Sequence, residues 1–384
     1  MLTSEQLSEL RAKIDHLDLA LIQLLAERQE LCDQVGKHKI ECGLDTRDLD
    51  REKDLILKKI ALGKQSGLST LFVQQIFQLI IEQSVKLQYQ MRVPASGDLN
   101  PRVAFLGDHG SYSHQALNKY FSLSKASPRP MGYPSFRAIL NSVRNEEMDV
   151  GILPIENTTS GAILDVYDLL QGSGIHIIGE EVLDIQHCLV GKAGNIDNVK
   201  TILGHPQALA QCSELLQSND QWKIEYCSSS ANAIEQVIKR DDPSVVAIAN
   251  AFAAEMYQLP VVTQNIANNQ KNFTRFILIA KEPVSVPEQI PCKVSLVLST
   301  KQTSGSLATV LNELKSQDII LTKLQSRPIP EKPWEELFYI DLEGHLDAPN
   351  VQAALAGCDN HCQFLKVLGC YPNSQLETPD LYGS

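Results

Sequence analysis

The chain opens on one long helical pattern, from about Thr3 to about Glu41, with Gly36 as its one glycine and no proline. Apolar residues recur at Leu7, Leu10, Ile14, Leu17, Leu21, Leu24, Leu31 and Val35. These alternating steps of three and four make a seven-residue seam, the mark of helices packed along their length. Gly43 breaks the pattern, and a second helix is predicted over 47–62, closed by Gly63 and Gly67. A third follows the cap Ser69, with Leu71, Ile76, Leu79, Ile80 and Leu87 apolar. Residues 93–101 carry Pro94, Gly97 and Pro101 among small and polar neighbours and read as a linker. Beyond them short buried strands alternate with helices: strands are predicted at 102–106, 149–153, 201–203, 245–248 and 277–280. Several of these strands end in polar loops, which predicts one crevice between two α/β lobes. From Cys292 a third pattern begins, with strands at 294–299, 319–325, 336–341 and 363–368 and helices at 304–315 and 350–357. This β-α-β-β-α-β order is the ferredoxin-like arrangement. After Tyr371 the chain is polar and reads as a loosely ordered tail.

The first chemistry lies on the helical seam. Arg28 stands where leucine is expected, and a buried arginine needs an anionic partner unless its stem packs while its head reaches water. Lys39, three turns on, shares its face. Arg11 lies about 25 Å away along the axis at roughly 1.5 Å per residue, so Arg11 and Arg28 of one helix cannot hold the same small ligand. An antiparallel partner helix would bring its own Arg11 to this Arg28. Length argues the same way, since a helix of roughly 58 Å outruns one small domain of radius about 13 Å. The pattern therefore predicts an intertwined homodimer with cationic pockets for a small anion. In the second helix Asp48, Arg51 and Glu52 share a face, and in the third Ser84 and Gln88 lie one turn apart.

Composition narrows the reading. The 384 residues are 43% hydrophobic and 21% charged, an ordinary soluble mixture long enough for two or three domains. A net charge of -12 argues against nucleic-acid or membrane-surface partners, so an anionic substrate must be met by local cations. The first residues lack the basic and apolar regions of a secretion signal, and no apolar run approaches the roughly 18 residues of a membrane span. Nine scattered cysteines without a Cys-x-x-Cys pair read as reduced thiols in a cytoplasmic protein. Cys358, His361 and Cys362 lie close together but lack a fourth ligand nearby and read as packing, so no metal is expected.

The middle segment carries four polar blocks. Gly107-Asp108-His109-Gly110-Ser111-Tyr112-Ser113-His114 is a glycine-bearing turn into a helix, which aims backbone N–H groups at an anion. Pro154-Ile155-Glu156-Asn157-Thr158-Thr159-Ser160-Gly161 is a polar loop after an apolar strand, and Gly204-His205-Pro206-Gln207 opens a helix. Asn272-Phe273-Thr274-Arg275-Phe276 precedes the last apolar strand of the segment.

Arg11, Arg28, Lys39, Asp48, Arg51, Glu52, Ser84 and Gln88 fall where the all-helical chorismate mutases keep their active site. Leu-Leu-Ala-Glu-Arg at 24–28, Val-Gly-Lys at 35–37 and Arg-Asp-Leu-Asp-Arg-Glu at 47–52 resemble that family closely. The resemblance implies that Arg28 and the partner chain's Arg11 hold the two carboxylates of chorismate, with Arg51 assisting. Lys39 and Gln88 would donate to the breaking ether oxygen, and Glu52, with the Asp48 region, would fix the ring hydroxyl. Ser84 belongs to the same set.

The four middle blocks, in this order, resemble prephenate dehydratase, which removes carbon dioxide and the ring hydroxyl from prephenate to give phenylpyruvate. The resemblance implies Thr274 as the key catalytic residue, with Glu156, Asn157, Ser160, His205 and Gln207 around it. Arg275 would hold a substrate carboxylate, and Ser111 or Ser113 would donate from the first turn. The last segment resembles an ACT regulatory domain. In that family a glycine turn and a Glu-Ser-Arg-Pro stretch bind phenylalanine; here they read Gly305-Ser306-Leu307-Ala308 and Gln325-Ser326-Arg327-Pro328. Glutamine in place of glutamate and alanine in place of valine imply weaker inhibition by phenylalanine.

The whole chain thus resembles the bifunctional P-proteins of phenylalanine biosynthesis, with no cofactor. The implied multidomain architecture is an all-α intertwined dimeric mutase domain (1–92), a linker (93–101), a two-lobed α/β dehydratase domain (102–281), a ferredoxin-like βαββαβ ACT domain (291–372) and a tail (373–384). Two rivals use the same residues: a monofunctional dehydratase with a helical dimerisation module, and a small-anion binding protein without catalysis. The intact helical set, with arginine at position 28 where a zipper favours leucine, argues against the first, and Thr274 between Phe273 and Arg275 argues against the second.

Overall fold

A 38-residue stretch without proline has no internal reason to stop, and α1 runs unbroken over Ser4–Glu41 in the computed structural model. The structure describes residues 4–42, 44, 48–92, 100–122, 126–269, 271–286, 290–301, 303–329, 332 and 335–373. Most of the linker and almost all of the tail predicted above therefore lie outside the described residues, as do Gly43 and Arg47. The chain divides into two units, Met1–Val93 and Pro94–Ser374.

In the first unit α1 is followed by α2 (Leu49–Gln65) and α3 (Thr70–Arg92). Asp48 caps α2, its carboxylate accepting from Arg51 N–H at 3.0 Å, and Ser69 Oγ accepts from Phe72 N–H at 3.2 Å. Ile56, Ile60, Val73, Ile81 and Val85 are buried. The α1 seam is not: Leu17, Leu24 and Leu31 are 67%, 61% and 61% exposed within one chain.

The second unit starts with a lobe of β1 (Arg102–Leu106), β2 (Arg129–Tyr133), β3 (Val150–Asn157), β4 (Gly161–Ala162), β5 (His176–Asp184) and the later β11 (Phe273–Ala280). Its sheet has the order β2-β1-β3-β11-β5, with β4 paired to β3. Helices α4 (Tyr112–Phe121), α5 (Phe136–Arg144) and α6 (Leu164–Gln171) belong to it. The second lobe holds β6 (Cys188–Val190), β7 (Thr201–Gly204), β8 (Lys223–Tyr226), β9 (Val245–Ala249) and β10 (Val261–Thr263) in the order β10-β6-β9-β7-β8. Its helices are α7 (Pro206–Gln211), α8 (Ser213–Gln217), α9 (Ser230–Arg240) and α10 (Ala251–Met256). The chain crosses between lobes twice, from β5 to β6 and back from β10 to β11.

Pro154 was expected to begin a loop, yet β3 continues to Asn157. Antiparallel β11 supplies the missing partner, and the register shifts between Arg275 and Phe276, leaving Ile155 of β3 as the extra, bulged residue beside Pro154, where a residue without N–H is tolerated. The polar turn is thereby reduced to Thr158–Ser160, and Asn157 becomes a strand residue facing Thr274.

The last segment is a ferredoxin-like sheet, β13-β14-β12-β15, built from β12 (Cys292–Thr300), β13 (Leu321–Pro328), β14 (Glu336–Glu343) and β15 (Cys362–Pro372), with α11 (Ser306–Ser316) and α12 (Pro349–Asp359). Its Val297, Leu337, Tyr339, Leu368 and Tyr371 share one core with Tyr167, Leu170 and Ile177 of the first lobe. Gly369 permits the approach, because a Cβ there would lie 2.0 Å from the Ile177 carbonyl oxygen.

Candidate functional site

In the helical unit Arg28 Nη1 donates to Ser84 Oγ at 2.7 Å, and that hydroxyl donates to Ile80 O at 2.8 Å. Helical spacing puts Ser84 and Gln88 on one face of α3. Glu52, Ser84 and Gln88 are buried polar residues, and Lys39 is half-buried. Gln88 Oε1 is buried with no hydrogen-bond partner among the described residues. Leaving such an atom unpaired costs roughly 1–3 kcal/mol, a cost that a bound donor would remove. Arg11 and Arg51 are exposed, and the Asp48 carboxylate is engaged in capping.

In the second unit a cleft of about 540 Å³ opens between the lobes. Six of the predicted residues line it: Ser113, Asn157, Ser160, His205, Gln207 and Thr274. Thr274 and Asn157 are both 7% exposed, held side by side by β11 and β3. Asn157 Nδ2 donates to Thr274 Oγ1 at 2.9 Å and to Asn272 Oδ1 at 2.7 Å. Its Oδ1 accepts from Thr159 N–H and Ser160 N–H, both at 2.9 Å, and from Ser160 Oγ at 3.1 Å. Two backbone donors on Oδ1 fix which end of the amide faces Thr274. The threonine oxygen therefore accepts from Asn157, and its own proton is not used in that bond. Gln207 Nε2 reaches Ser160 Oγ at 3.4 Å, and His205 Nδ1, lowered in pKa by burial, caps α7 by accepting from Gln207 N–H at 3.3 Å.

Three cleft residues escaped sequence reasoning. Tyr112 Oη lies 2.6 Å from His187 Nδ1, and His187 Nε2 lies 2.7 Å from Gln211 Oε1. Burial lowers the His187 pKa against the opposing Gln211 hydrogen bond, so the ring is neutral, donating from Nε2 and accepting at Nδ1. Burial also pushes the Tyr112 phenol well up, so it stays a donor. Tyr112 lay inside a quoted block, and Gln211 is one helical turn after Gln207; His187, in an interlobe crossing, left no local signal.

Three predicted residues are elsewhere. Ser111 caps α4, accepting from His114 N–H at 3.3 Å and donating to Leu106 O at 3.0 Å. Arg275 does not reach the cleft as a carboxylate clamp. Strand alternation turns it away from Thr274, toward Asp341 at 2.7 Å, Glu156 at 3.2 Å and Glu180 at 3.7 Å. Burial works against its charge, but Asp341, Tyr371, Glu180 and Glu156 more than offset this and hold its pKa above the usual arginine value. Glu156 belongs to the same cluster, paired also with Lys323, while Lys293 Nζ donates to Glu180 at 2.7 Å. The cluster balances three cations with three carboxylates and joins β11 to the ferredoxin-like sheet. The cleft lining itself carries no Lys, Arg, Asp or Glu among the described residues.

In the ferredoxin-like segment Gly305, at φ 78°, precedes α11, and Ser306 Oγ donates to Thr303 O at 2.7 Å. Leu307 and Ala308 lie in the first turn of α11, and Gln325, Ser326, Arg327 and Pro328 end the edge strand β13. Ser326 and Leu298 flank Phe338 in register, so both stretches lie at one end of the sheet. Gln325 Nε2 donates to Ser326 O at 2.9 Å, and Arg327 Nε donates to Asp168 of α6 at 3.0 Å. Cys358 and Cys362 are buried in the core of this segment, and His361 lies 3.7 Å from Glu313.

A helical unit with a cationic seam, a two-lobed α/β unit around an uncharged polar cleft, and a ferredoxin-like appendage define a multidomain enzyme. Residues 10–89 match the family chorismate mutase type II, and residues 103–284 match prephenate dehydratase. The chain is 41% identical over 384 residues to the bifunctional chorismate mutase/prephenate dehydratase of Escherichia coli strain K12, covering 99% of this chain and 100% of that one. A prephenate dehydratase from Arthrobacter aurescens in complex with L-Phe superposes with a TM-score of 0.63 at 27% identity, covering 71% of this chain and 90% of that chain. GqqA, described as a novel type of quorum quenching acylase, superposes at 0.64 with 26% identity over 71% and 97% of the two chains.

This chain belongs to the bifunctional chorismate mutase/prephenate dehydratase family. It carries both activities, in phenylalanine biosynthesis. No helix among the described residues is long and apolar enough to cross a membrane.

Proposed function

We propose that the two reactions run in independent sites on one chain, with the named residues in the following roles. The mutase site forms between two antiparallel copies of α1. Arg28 and the partner copy's Arg11 hold the two carboxylates of chorismate, with Arg51 at the rim. Lys39 and Gln88 donate to the ether oxygen as negative charge develops there, and Glu52, near the Asp48 cap, orients the ring hydroxyl. Holding the compact conformer supplies the rest of the acceleration, since the rearrangement needs no covalent intermediate. Supporting this reading are the exposed leucine seam of α1, the buried Glu52, Ser84 and Gln88, and the Arg28–Ser84 bond.

In the dehydratase site Thr274 donates its hydroxyl proton to the ring hydroxyl of prephenate and takes one back from solvent, since the net reaction consumes one proton. That hydroxyl leaves as water while the ring carboxylate leaves as carbon dioxide, its bonding electrons completing the aromatic ring of phenylpyruvate. The single observation that carries the assignment is the Asn157 Nδ2 to Thr274 Oγ1 bond of 2.9 Å, which leaves the threonine proton free. The dianion is received by hydroxyls and by the N-terminal turns of α4, α7 and α9, which bring Tyr112, Ser113, Gln207 and Ser230 to the cleft. A lining without a formal cation does not over-stabilise the carboxylate that must leave, so binding energy is not lost to the ground state. The ferredoxin-like segment acts as an ACT domain that binds phenylalanine through the Gly305 and Gln325 stretches. Glutamine at 325 lacks the charge to pair with the amino acid's ammonium, so inhibition is weaker than is typical of the family.

The test feeds chorismate to the pure chain and follows prephenate and phenylpyruvate separately. Lys39→Ala abolishes the first reaction and spares the second when prephenate is supplied, and Thr274→Ala does the reverse. Loss of both activities in either variant refutes independent sites. A phenylalanine dose–response in the family's usual tight range refutes weakened regulation.

A further inference from the structure

We propose that Cys292, His345 and Cys370 form a binding site for a borderline-soft divalent cation of the zinc class, within the ferredoxin-like segment and apart from both reaction sites. The three residues come from the start of β12, the turn between β14 and α12, and the end of β15. No sequence motif joins them, and they differ from the Cys358, His361 and Cys362 cluster that sequence proximity suggests. Each offers one ligand atom, and these atoms lie within 4.8 Å of one another. Around a tetrahedral ion at about 2.3 Å from sulfur and about 2.1 Å from nitrogen, ligand atoms are roughly 3.5–3.8 Å apart. The triad is therefore within an ångström or so of closure, a movement that side-chain rotation supplies.

The surroundings suit a cation. Two sulfurs and one imidazole favour zinc-class ions over magnesium or calcium, which prefer oxygen. His345 Nε2 donates to Val286 O at 2.7 Å, the outer hydrogen bond that fixes the ring and the tautomer of a metal-binding histidine. Nδ1, which keeps its lone pair, takes only a long 3.2 Å bond from Asp347 N–H, and an ion would replace it. The Asp347 carboxylate lies 3.8 Å from Nδ1 and is 73% exposed, so it or a water can complete the fourth position and mark the entry path. Cys292 is buried and its Sγ donates to Ile290 O at 3.2 Å, and His345 and Cys370 are half-buried. Bound metal would staple the two outer ends of neighbouring strands to the β14–α12 turn and to the chain segment that leads in from the dehydratase lobes.

The full-length chain, stripped with chelator under reducing conditions, is titrated with zinc and with cobalt(II). The proposal expects one ion retained per chain after gel filtration, a thiolate-to-metal absorption band with cobalt, and a zinc-dependent rise in melting temperature. Cys292→Ser and His345→Ala each weaken retention at least about tenfold, since even outer-shell changes at such sites cost that much. Cys42→Ser, at the exposed thiol next to His38, leaves retention unchanged. Circular dichroism confirms that each variant is folded, and Cys370→Ser replaces any variant that is not. Absence of retained metal from the parent, a Cys292–Cys370 disulfide in its place, or undiminished retention in His345→Ala overturns the proposal.

Discussion

A threonine hydroxyl is a weak acid, and what distinguishes Thr274 from any strand threonine is the amide beside it. Asn157 cannot rotate, because its oxygen is held by two N–H groups and its nitrogen by Asn272 and Thr274. Thr274→Val, nearly equal in volume, is expected to lower dehydratase kcat by about 10²–10⁴-fold, the usual contribution of a positioned acid, with mutase turnover unchanged. Thr274→Ser keeps part of the rate because the donor survives. A second consequence is acid sensitivity. His114 is buried, stacked on Phe105, and accepts from Gly110 N–H at 3.1 Å. Burial, and then the nearby His109, lower its pKa from 6.5 to about 4. The unfolded chain therefore takes up the proton first, so the stabilisation is complete above about pH 6.5 and disappears as pH falls to about 4. It amounts to about 3 kcal/mol at about 1.36 kcal/mol per unit. Denaturant midpoints of the dehydratase unit should fall across that window, and His114→Gln should flatten the fall. Thr274, Asn157, Ser160, His205 and Gln207 were legible from their blocks, because each sits where a strand or helix ends. Arg275 was misjudged for a physical reason: one residue along a strand reverses the face, and the electrostatics of that face belong to another domain.

At the scale of elements, α1 carries the largest unmet demand. Its leucines are exposed along a helix of about 57 Å at roughly 1.5 Å per residue, far more apolar surface than α2 and α3 cover. Replacing Leu17 and Leu24 by glutamate is expected to give a smaller particle on size exclusion, with mutase activity lost and dehydratase activity kept. The sharper test mixes inactive Arg11→Ala and Arg28→Ala chains. Each mixed pair then has one complete site and one doubly defective site, so mutase activity returns to about a quarter of the unmutated level after random exchange of a symmetric dimer. Failure to recover activity would place both arginines in one subunit's site. The helix and its seam were plain from periodicity, and the βαββαβ order was plain from the spacing of apolar runs. The continuation of β3 through Pro154 was not, because the residues that extend it lie more than a hundred positions later on β11.

For the whole molecule, the charge-balanced cluster around Arg275 is one of the contacts that join β11, the strand of Thr274, to the ferredoxin-like sheet. Asp341 accepts from Ser295 Oγ at 2.5 Å and pairs with Arg275 on the strand that carries Thr274. Asp341→Asn leaves an uncompensated buried cation and should destabilise the second unit by roughly 3 kcal/mol. Dehydratase activity should fall while mutase turnover stays unchanged, and the response to phenylalanine should shift if the signal passes through this contact. An unshifted inhibition curve at reduced activity would confine the cluster to a structural role. The order of the three segments, their local periodicities, the leucine seam of α1 and most of the polar blocks were properties of the sequence alone, because helical and strand repeats and the polar turns at strand ends are local. The opposed faces of Thr274 and Arg275, the Tyr112–His187–Gln211 chain, the neutral lining of the cleft and the Cys292–His345–Cys370 triad were decided only by tertiary structure. Each depends on residues far apart in the chain being brought to hydrogen-bond or ligand distance, and no local pattern encodes such a meeting.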